Sequence, residues 1–551
     1  MHAKNPADAF KSLAWQDLGM LVFVVGYLVF AGFTALSNPF IGGADSASYA
    51  VTARALATGL GFSTDTIGYY FYPYENVSHT EDTWPPLQPL FLAASFLVFG
   101  VSAHATKIPN LLFLALAFLS VYAFASALKN KTAGLIAIFF LGINYLVFTQ
   151  SIIPMADVNF ALFNLATLAY FYWMLSTDRH SFVHYAVAGV LVGLTSSIRI
   201  TGASLALVFL LAAFFWNKKN GKAYLKEGLA HLGIFAFIVA LFVLPPWIAS
   251  YSAYGYVNTQ QYSNTLVLFA NSGVNAIYFD DLDSIAQKAS FMERVQRTVI
   301  QALLIPLDFM RGNSGPFIVF VLAALSFFLL PGRQRLLYKL GALHFILACA
   351  LLIVFGHYEF RYMLMFYPVM CVLAGLALTR LWEKIETRER QGFNIQWPRI
   401  ALLTVVLILA GFYLTGPFSS AMQKTFDSNG RAFEAKYVEA MEWIESNTPQ
   451  GAVMMSRTTA ATGFHADRST VLTPDAPLDE TIYLMRKYNV TYLVLQENRK
   501  DRLSTQFDVL NTAQGIPGFA LAYENNALIR VYKVDWTQVN LTAYKQPSWF
   551  T

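Results

Sequence analysis

Two aspartates lie at the ends of long apolar segments, where a carboxylate could do acid–base chemistry. Asp45 follows the first such segment, and Asp157 comes directly before another. A carboxylate at the edge of an apolar layer is partly desolvated, and this favours a general base that meets both a lipid-borne and an aqueous substrate. An aspartate before a helical stretch is equally typical of a helix cap. Both interpretations stay open for Asp45 and for Asp157.

Other polar residues between the apolar segments are candidates for acceptor or metal contacts. They are His79, Glu81, His357 and Glu359. Their spacing matches no metal-ligand pattern, so the metal stays unknown and a divalent cation is the one cofactor left open. Both cysteines, Cys349 and Cys371, lie in apolar runs, which excludes a disulfide framework. We expect no nucleotide or redox cofactor, because no motif for either is present.

The elements that must position these residues are membrane-spanning helices. The chain has 551 residues, of which 56% are hydrophobic and 13% charged, and its mean hydropathy is +0.46. Soluble domains carry about 25% charged residues. Charges are about twice as frequent in 418–551 as in 1–417. We therefore predict a transmembrane catalytic domain over 1–417, with its first external loop at 38–87, and a soluble domain over 418–551.

Eleven long apolar runs predict about eleven transmembrane helices. The runs are 17–37, 104–128, 133–149, 158–177, 182–198, 200–216, 228–249, 314–331, 338–356, 362–381 and 400–417. With a cytoplasmic N-terminus the basic clusters all fall on the cytoplasmic side, as the positive-inside rule requires. Two shorter apolar segments, 88–100 and 298–310, are too short to cross roughly 30 Å of hydrocarbon and are predicted to be interfacial helices. This predicts a multi-pass protein of the inner (plasma) membrane with its tail outside.

The tail alternates helical and extended patterns. Residues 431–447 have apolar positions on one helical face, and 451–456, 491–495 and 527–534 resemble short strands. These patterns predict a small extracytoplasmic α/β domain. The net charge of +5 is spread through loops, so nothing argues for a nucleic-acid partner.

The order of several short motifs resembles that of a known superfamily. The motifs are D-x-x-x-Y from Asp45, A-R-x-L-x-x-G-x-G-F from Ala53, P-P-L-x-P-L from Pro85, the loop 151–157 that ends in Asp157, G-L-x-x-x-x-R from Gly193 to Arg199, and R-Y-x-x-x-x-Y-P from Arg361. The series resembles the GT-C superfamily of polyprenyl-phosphate-dependent glycosyltransferases. The similar branch contains the lipid A aminoarabinose transferase and the protein O-mannosyltransferases.

The resemblance implies a GT-C fold and an inverting transfer of a sugar from a polyprenyl phosphate at the outer membrane face. Asp45 would then be the general base, and Asp157 would help to position the acceptor or a metal. The departing phosphate needs cations. The candidates are Arg199, Arg361, Arg54 and Lys107, each of which could instead be an anchor among the lipid headgroups.

The acceptor stays open among a lipid glycan, a polysaccharide and a protein hydroxyl. Trp84 stands where the aminoarabinose branch carries a lysine, which argues against a lipid A phosphate acceptor. An alternative is a transporter or flippase of a lipid-linked glycan, although ionisable residues at mid-membrane and repeated halves are not evident. A non-catalytic scaffold with the same fold is the third hypothesis.

Overall fold

The computed structural model describes most of the chain. The described residues are 15–68, 70, 74–220, 224–255, 296, 300, 307, 311, 315–354, 359–390, 396–474, 476–496, 507, 510, 515–525 and 529–539. His357 and nearly all of the predicted interfacial segment 298–310 lie outside them.

Apolar helices dominate the chain up to residue 413. They are α1 (Trp15–Leu36), α2 (Ala44–Ala57), α3 (Leu87–Phe99), α4 (Ile108–Leu128), α5 (Lys131–Gly142), α6 (Tyr145–Ser151), α7 (Asp157–Ser176), α8 (Phe182–Ile198), α9 (Ser204–Asn220), α10 (Tyr224–Tyr254), α11 (Phe317–Leu329), α12 (Gly332–Val354), α13 (Tyr367–Arg390) and α14 (Gln396–Tyr413). Short 3₁₀ turns precede α4, α9 and α13 at Ala105–Lys107, Ile200–Ala203 and Phe360–Phe366. Each predicted run coincides with one or two of these elements.

Only some of these helices are long enough to cross a membrane. Within the described residues, six helices are long and apolar enough to span a bilayer, and the pair α5 and α6, bent by 67°, could form a seventh span. The bend lies at Asn144, whose side chain accepts a hydrogen bond from Leu146 N at 2.9 Å and so begins a new helix. Four shorter apolar helices include α3, the predicted interfacial segment. The count of eleven crossings stays a prediction.

The predicted boundary between 417 and 418 falls inside a nearly continuous helical run. A π turn (Leu414–Phe418) containing Pro417 follows α14 and leads into α15 (Ser419–Phe426) and α16 (Ser428–Asn447). Proline lacks a backbone N–H, so a widened turn is a natural way to carry a helix past it. The last apolar helix is thus joined to the tail without an intervening loop.

The tail folds around a mixed six-stranded sheet. Its own elements are β4 (Val453–Ser456), α17 (Thr459–Ala466), β5 (Ser469–Leu472), α18 (Leu478–Lys487), β6 (Val490–Gln496), β7 (Phe519–Asn525) and β8 (Ile529–Val534). β5, β4 and β6 pair in parallel, whereas β6, β8 and β7 are antiparallel. The helix and the three strands predicted in the tail are present, and β5 and β7 were not predicted.

The sixth strand comes from the first loop, not from the tail. Of the loop strands β1 (Ser63–Thr64), β2 (Thr66–Ile67) and β3 (His79–Thr80), β2 pairs in parallel with β5 at the edge of the sheet. The Tyr70 hydroxyl donates to the carbonyl of Leu472, and Arg54 pairs with Asp467 at 2.7 Å. The loop and the tail therefore share one sheet, which the division into two separate domains did not anticipate.

Candidate active site

Four side chains from distant parts of the chain meet in one polar cluster. Arg361 Nη2 lies 2.7 Å from Asp45 Oδ2, and Arg199 Nη2 lies 3.0 Å from Asp157 Oδ2. Arg361 Nη1 is 4.0 Å from the same oxygen of Asp157 and so links the two pairs. None of the four side chains is more than 17% exposed. We call this group the arginine–aspartate cluster; its two shorter ion pairs are charge-assisted hydrogen bonds in a largely desolvated place.

Neither aspartate caps its helix. Gly43 is the N-cap residue of α2 and Ala156 that of α7, and neither helix start has a side-chain cap hydrogen bond. Asp45 and Asp157 lie instead in the first turn, where the helix dipole favours a negative charge. The capping interpretation is therefore wrong for both residues, and their carboxylates face the arginines.

Two glycines permit the tight turns that present this cluster. Gly42, just before α2, has φ +89°, and a Cβ there would lie 2.4 Å from the Ser46 hydroxyl. Gly202 lies in the turn after Arg199, where a Cβ would lie 2.8 Å from backbone atoms of α8. A larger residue at either position would displace the turn that carries Asp45 or Arg199.

A buried network of amides holds the loop before Asp157. Asn110 Nδ2 donates to two backbone carbonyls of that loop at 2.6 and 2.7 Å. Gln88 Nε2 donates to a third at 3.3 Å, and Asn159 Nδ2 donates to Gln88 Oε1 at 2.6 Å. All three amides are fully buried. Since α3, α4 and α7 each supply one of them, the network fixes the start of α7 relative to its neighbours.

Two tyrosines that the sequence reasoning missed complete the cluster. The Tyr362 ring lies 5.0 Å from Arg199 Cζ and 5.5 Å from Arg361 Cζ, which stabilises both cations. The fully buried Tyr49 hydroxyl has no hydrogen-bond partner among the described residues, and neither has Arg199 Nε. Burial raises the pKa of Tyr49, so this hydroxyl stays protonated and can donate. Its position one helical turn after Asp45 was a usable signal.

Arg54 and Lys107, the other two candidates for phosphate binding, are engaged elsewhere. Arg54 pairs with Asp65 at 2.9 Å and with the tail, and therefore ties α2 to the tail sheet. Lys107 is fully buried, and its ammonium group donates to the carbonyl of Ala35, in the last turn of α1, and to that of Asn38, just after the helix. Both cations have their oxygen partners outside the arginine–aspartate cluster, and their part in phosphate binding stays a prediction.

The candidate acceptor or metal contacts fall in two places. Glu359 Oε2 accepts from Arg361 Nε at 2.5 Å, at the margin of the arginine–aspartate cluster. Glu81 is buried and accepts from the Thr52 hydroxyl at 2.7 Å. Burial, with a smaller effect of Asp82, raises the pKa of Glu81 to about 7. The position of His357 lies outside the described residues.

His79 is held by contacts within its own loop. The His79 ring stacks on Tyr74 at 4.0 Å, its Nδ1 lies 2.8 Å from the carbonyl of Val77, and burial lowers its pKa. No group of three or more His, Cys, Asp or Glu side chains is arranged to hold a metal ion in the part of the chain that the structure describes. The carboxylates of the cluster are paired with arginines instead, so these residues do not fit a resident metal.

The sequence matches two families of glycosyltransferases. Residues 83–248 match the dolichyl-phosphate-mannose-protein mannosyltransferase family, and residues 309–449 match the Alg9-like mannosyltransferase family. No curated protein matches the chain.

The fold is similar to that of several solved structures, and the similarity extends over nearly the whole chain. ArnT from Cupriavidus metallidurans in the apo state is 13% identical with a TM-score of 0.57, covering 95% of this chain and 99% of that one. Its undecaprenyl phosphate complex has a TM-score of 0.55. The oligosaccharyltransferase AglB from Archaeoglobus fulgidus, in complex with an inhibitory peptide and a dolichol-phosphate, is 15% identical with a TM-score of 0.52, covering 94% of this chain and 75% of that one.

These matches are to glycosyltransferases and not to transporters or flippases. They confirm the resemblance to the GT-C superfamily, the fold class and the prediction of a glycosyltransferase. The several apolar helices agree with a multi-pass membrane protein. The chain is thus a membrane protein with the GT-C glycosyltransferase fold.

Proposed function

We propose that the protein transfers a sugar from a polyprenyl phosphate to an acceptor hydroxyl, with inversion, at the outer face of the plasma membrane. The observation that carries this proposal is the arginine–aspartate cluster, which combines a candidate base with two arginines in a desolvated place. ArnT with undecaprenyl phosphate and AglB with a dolichol-phosphate have similar folds. This likeness supports a lipid phosphate as the leaving group.

In the proposed reaction Asp45 takes the proton of the acceptor hydroxyl. The acceptor oxygen forms a bond to the anomeric carbon as the bond between that carbon and the phosphate oxygen breaks, and the phosphate keeps the electron pair. Attack from the face opposite the phosphate inverts the anomeric centre. One carboxylate suffices, because phosphate leaves as a stable anion and needs no general acid.

The arginines hold the phosphate in this proposal. Arg361 and Arg199 each present a guanidinium fork that suits phosphate oxygens. Arg199 Nε and the Tyr49 hydroxyl, without partners among the described residues, are two further donors that a ligand oxygen would satisfy. Since Arg361 also binds Asp45, a phosphate that engages Arg361 would free Asp45 to accept a proton. Asp157 would orient Arg199 through its 3.0 Å ion pair.

The wider assignments belong to the same proposal. The membrane domain over 1–417 would carry out the reaction. The domain over 418–551 would cover the outer face of the membrane domain, because β2 of the first loop pairs with β5 of the tail. The N-terminus would be cytoplasmic and the tail extracytoplasmic. Glu359 would help to set the position of Arg361, and Glu81 would contact the acceptor.

The test uses purified full-length protein in lipid nanodiscs. Undecaprenyl-phosphate sugars are supplied as donors. Envelope glycans extracted from cells that lack the protein are supplied as acceptors, and release of undecaprenyl phosphate is measured. The proposal expects release that depends on the acceptor. Protein that binds no undecaprenyl phosphate and releases none from any donor would contradict it.

A further inference from the structure

A second polar site adjoins the arginine–aspartate cluster. It is a cleft between the loop after β3 and parts of α8 and α10, and we call it the Trp84 cleft. Its polar lining residues include Glu81, Asp82, Ser196 and Ser197, and its aromatic ones include Trp84 and Trp247. None of the described residues that line it is Lys, Arg or His. The cleft is therefore acidic, in contrast to the arginines nearby.

This charge restricts what the cleft can hold. Glu81 and Asp82 are only 6% and 7% exposed, so little water screens their charge from an occupant. A phosphate would be repelled here and attracted to Arg199 and Arg361 instead. Both carboxyl groups already accept hydrogen bonds within the protein, and a hydrocarbon chain would leave their remaining acceptor positions unsatisfied. The cleft therefore suits an uncharged group rich in hydroxyls.

The walls offer the complementary groups for a sugar ring. Trp84 and Trp247 are half-buried, and indole faces pack against the C–H face of such a ring. Carboxylate oxygens accept hydrogen bonds from ring hydroxyls, and Ser196 and Ser197 add hydroxyl groups. Apolar walls with a few placed polar groups are typical of small-molecule sites.

One face of α2 connects the cleft to the candidate base. Asp45, Tyr49 and Thr52 follow each other at intervals of four and three, so they lie on the same side of the helix. The Tyr49 ring meets the Trp84 indole edge-on at 5.0 Å, and the Thr52 hydroxyl donates to Glu81 at 2.7 Å. Thr52 is two turns from Asp45, roughly 10 Å along the helix. A glycan with one ring bound in the cleft could therefore extend along this face of α2 and place a hydroxyl near Asp45.

We propose that the Trp84 cleft binds a sugar ring of the acceptor, so that the acceptor is a glycan and not a protein hydroxyl. The proposal rests on the proposed function, because it assigns the donor phosphate to the arginines and leaves the acidic cleft to the other substrate. Trp84 and Trp247 would stack on the ring, and Glu81 would accept from its hydroxyls.

The test is saturation-transfer NMR on the full-length protein in nanodiscs. The probes are methyl glycosides of mannose, galactose and arabinose, with a short threonine peptide for comparison. We expect ring-proton signals from at least one glycoside and their loss in Trp84→Ala, Trp247→Ala and Glu81→Gln. The matched controls Trp15→Ala, at the exposed start of α1, and Glu439→Gln, on the exposed face of α16, should keep the signals.

A second measurement on the same samples separates this proposal from the proposed function. Undecaprenyl phosphate should bind equally to wild type and to Trp84→Ala, and it should leave the glycoside signals unchanged. Failure of the wild type to bind that lipid would count against the proposed function alone. Glycoside signals that are absent, insensitive to the three cleft variants or displaced by undecaprenyl phosphate would overturn the acceptor site. Binding of the threonine peptide in place of the glycosides would overturn it as well.

Discussion

Arg361 Nη2 lies 2.7 Å from Asp45 Oδ2, although 316 positions separate the two residues. The contact joins the first turn of α2 to the 3₁₀ turn before α13. It couples the candidate base to the candidate phosphate ligand. The Arg361 guanidinium binds the Asp45 carboxylate in this structure and would bind a phosphate when the donor is present.

Loss of Arg361 should weaken donor binding. Arg361→Ala removes a charge-assisted hydrogen bond to phosphate, and we expect the Kd for undecaprenyl phosphate to rise about 10- to 100-fold. Binding is measured by titration of the lipid into nanodiscs. Arg530→Ala is the matched control, since Arg530 also forms an ion pair, with Glu524 at 2.7 Å in the tail. Equal affinity in wild type and Arg361→Ala would remove Arg361 from the phosphate site.

The buried amide network should position Asp157 as well as stabilise the fold. Asn110→Ala leaves loop carbonyls without a donor, and we expect a loss of about 1–3 kcal/mol in unfolding free energy together with a lower kcat. Asn164→Ala on α7 removes another buried amide, whose one donor contact among the described residues is to the carbonyl of Phe160 in its own helix. This control should lose stability and keep its kcat. A similar kcat in both variants would argue that Asn110 has a structural role only.

Glu81 should make stability depend on pH. Its pKa is raised to about 7 by burial, so the folded protein binds this proton more tightly than the unfolded chain does. Stability is then unaffected below about pH 4.5 and falls as the pH rises to about 7, by roughly 3 kcal/mol in all. Glu81→Gln lacks this loss.

Thermal unfolding in detergent from pH 5 to pH 8 measures the difference. Glu81→Gln should gain stability relative to wild type with rising pH, whereas Glu439→Gln, at an exposed residue, should follow the wild type throughout. Parallel curves for Glu81→Gln and wild type would show that the Glu81 carboxyl is not desolvated.

The orientation of the tail can be measured in intact cells. Glu439→Cys on α16 should react with a membrane-impermeant maleimide from outside, and Arg388→Cys at the end of α13 should react only after the membrane is opened. The native Cys349 and Cys371 are buried and should not interfere. Labelling of Arg388→Cys from outside, with Glu439→Cys protected, would invert the proposed topology.

Much of the fold followed from hydrophobic runs, because a bilayer imposes a length on every spanning helix. The apolar run 133–149 predicts one helix, although Asn144 divides it into α5 and α6. The contribution of β2 to the tail sheet could not be predicted, since two residues carry too little pattern and the pairing crosses about 400 positions.

The residues that the sequence predicted for the site fall into two groups. Asp45, Asp157, Arg199 and Arg361 were chosen by residue type and membrane side, and the structure brings them together. Arg54 and Lys107 satisfied the same criteria, yet their oxygen partners lie outside the arginine–aspartate cluster. A sequence records that a cation lies near the outer end of a helix, but not which oxygens surround it. Only the fold distinguishes the two cases.

Turnover by Asp45→Asn tests the central claim most directly. The variant keeps the size of the side chain and loses the base, so we predict that acceptor-dependent release of undecaprenyl phosphate falls about 100-fold or more. Lipid binding and thermal stability should remain near the wild-type values, and Asp178→Asn, at an exposed residue after α7, should be fully active. Wild-type turnover by Asp45→Asn would contradict the assignment of Asp45 as the general base.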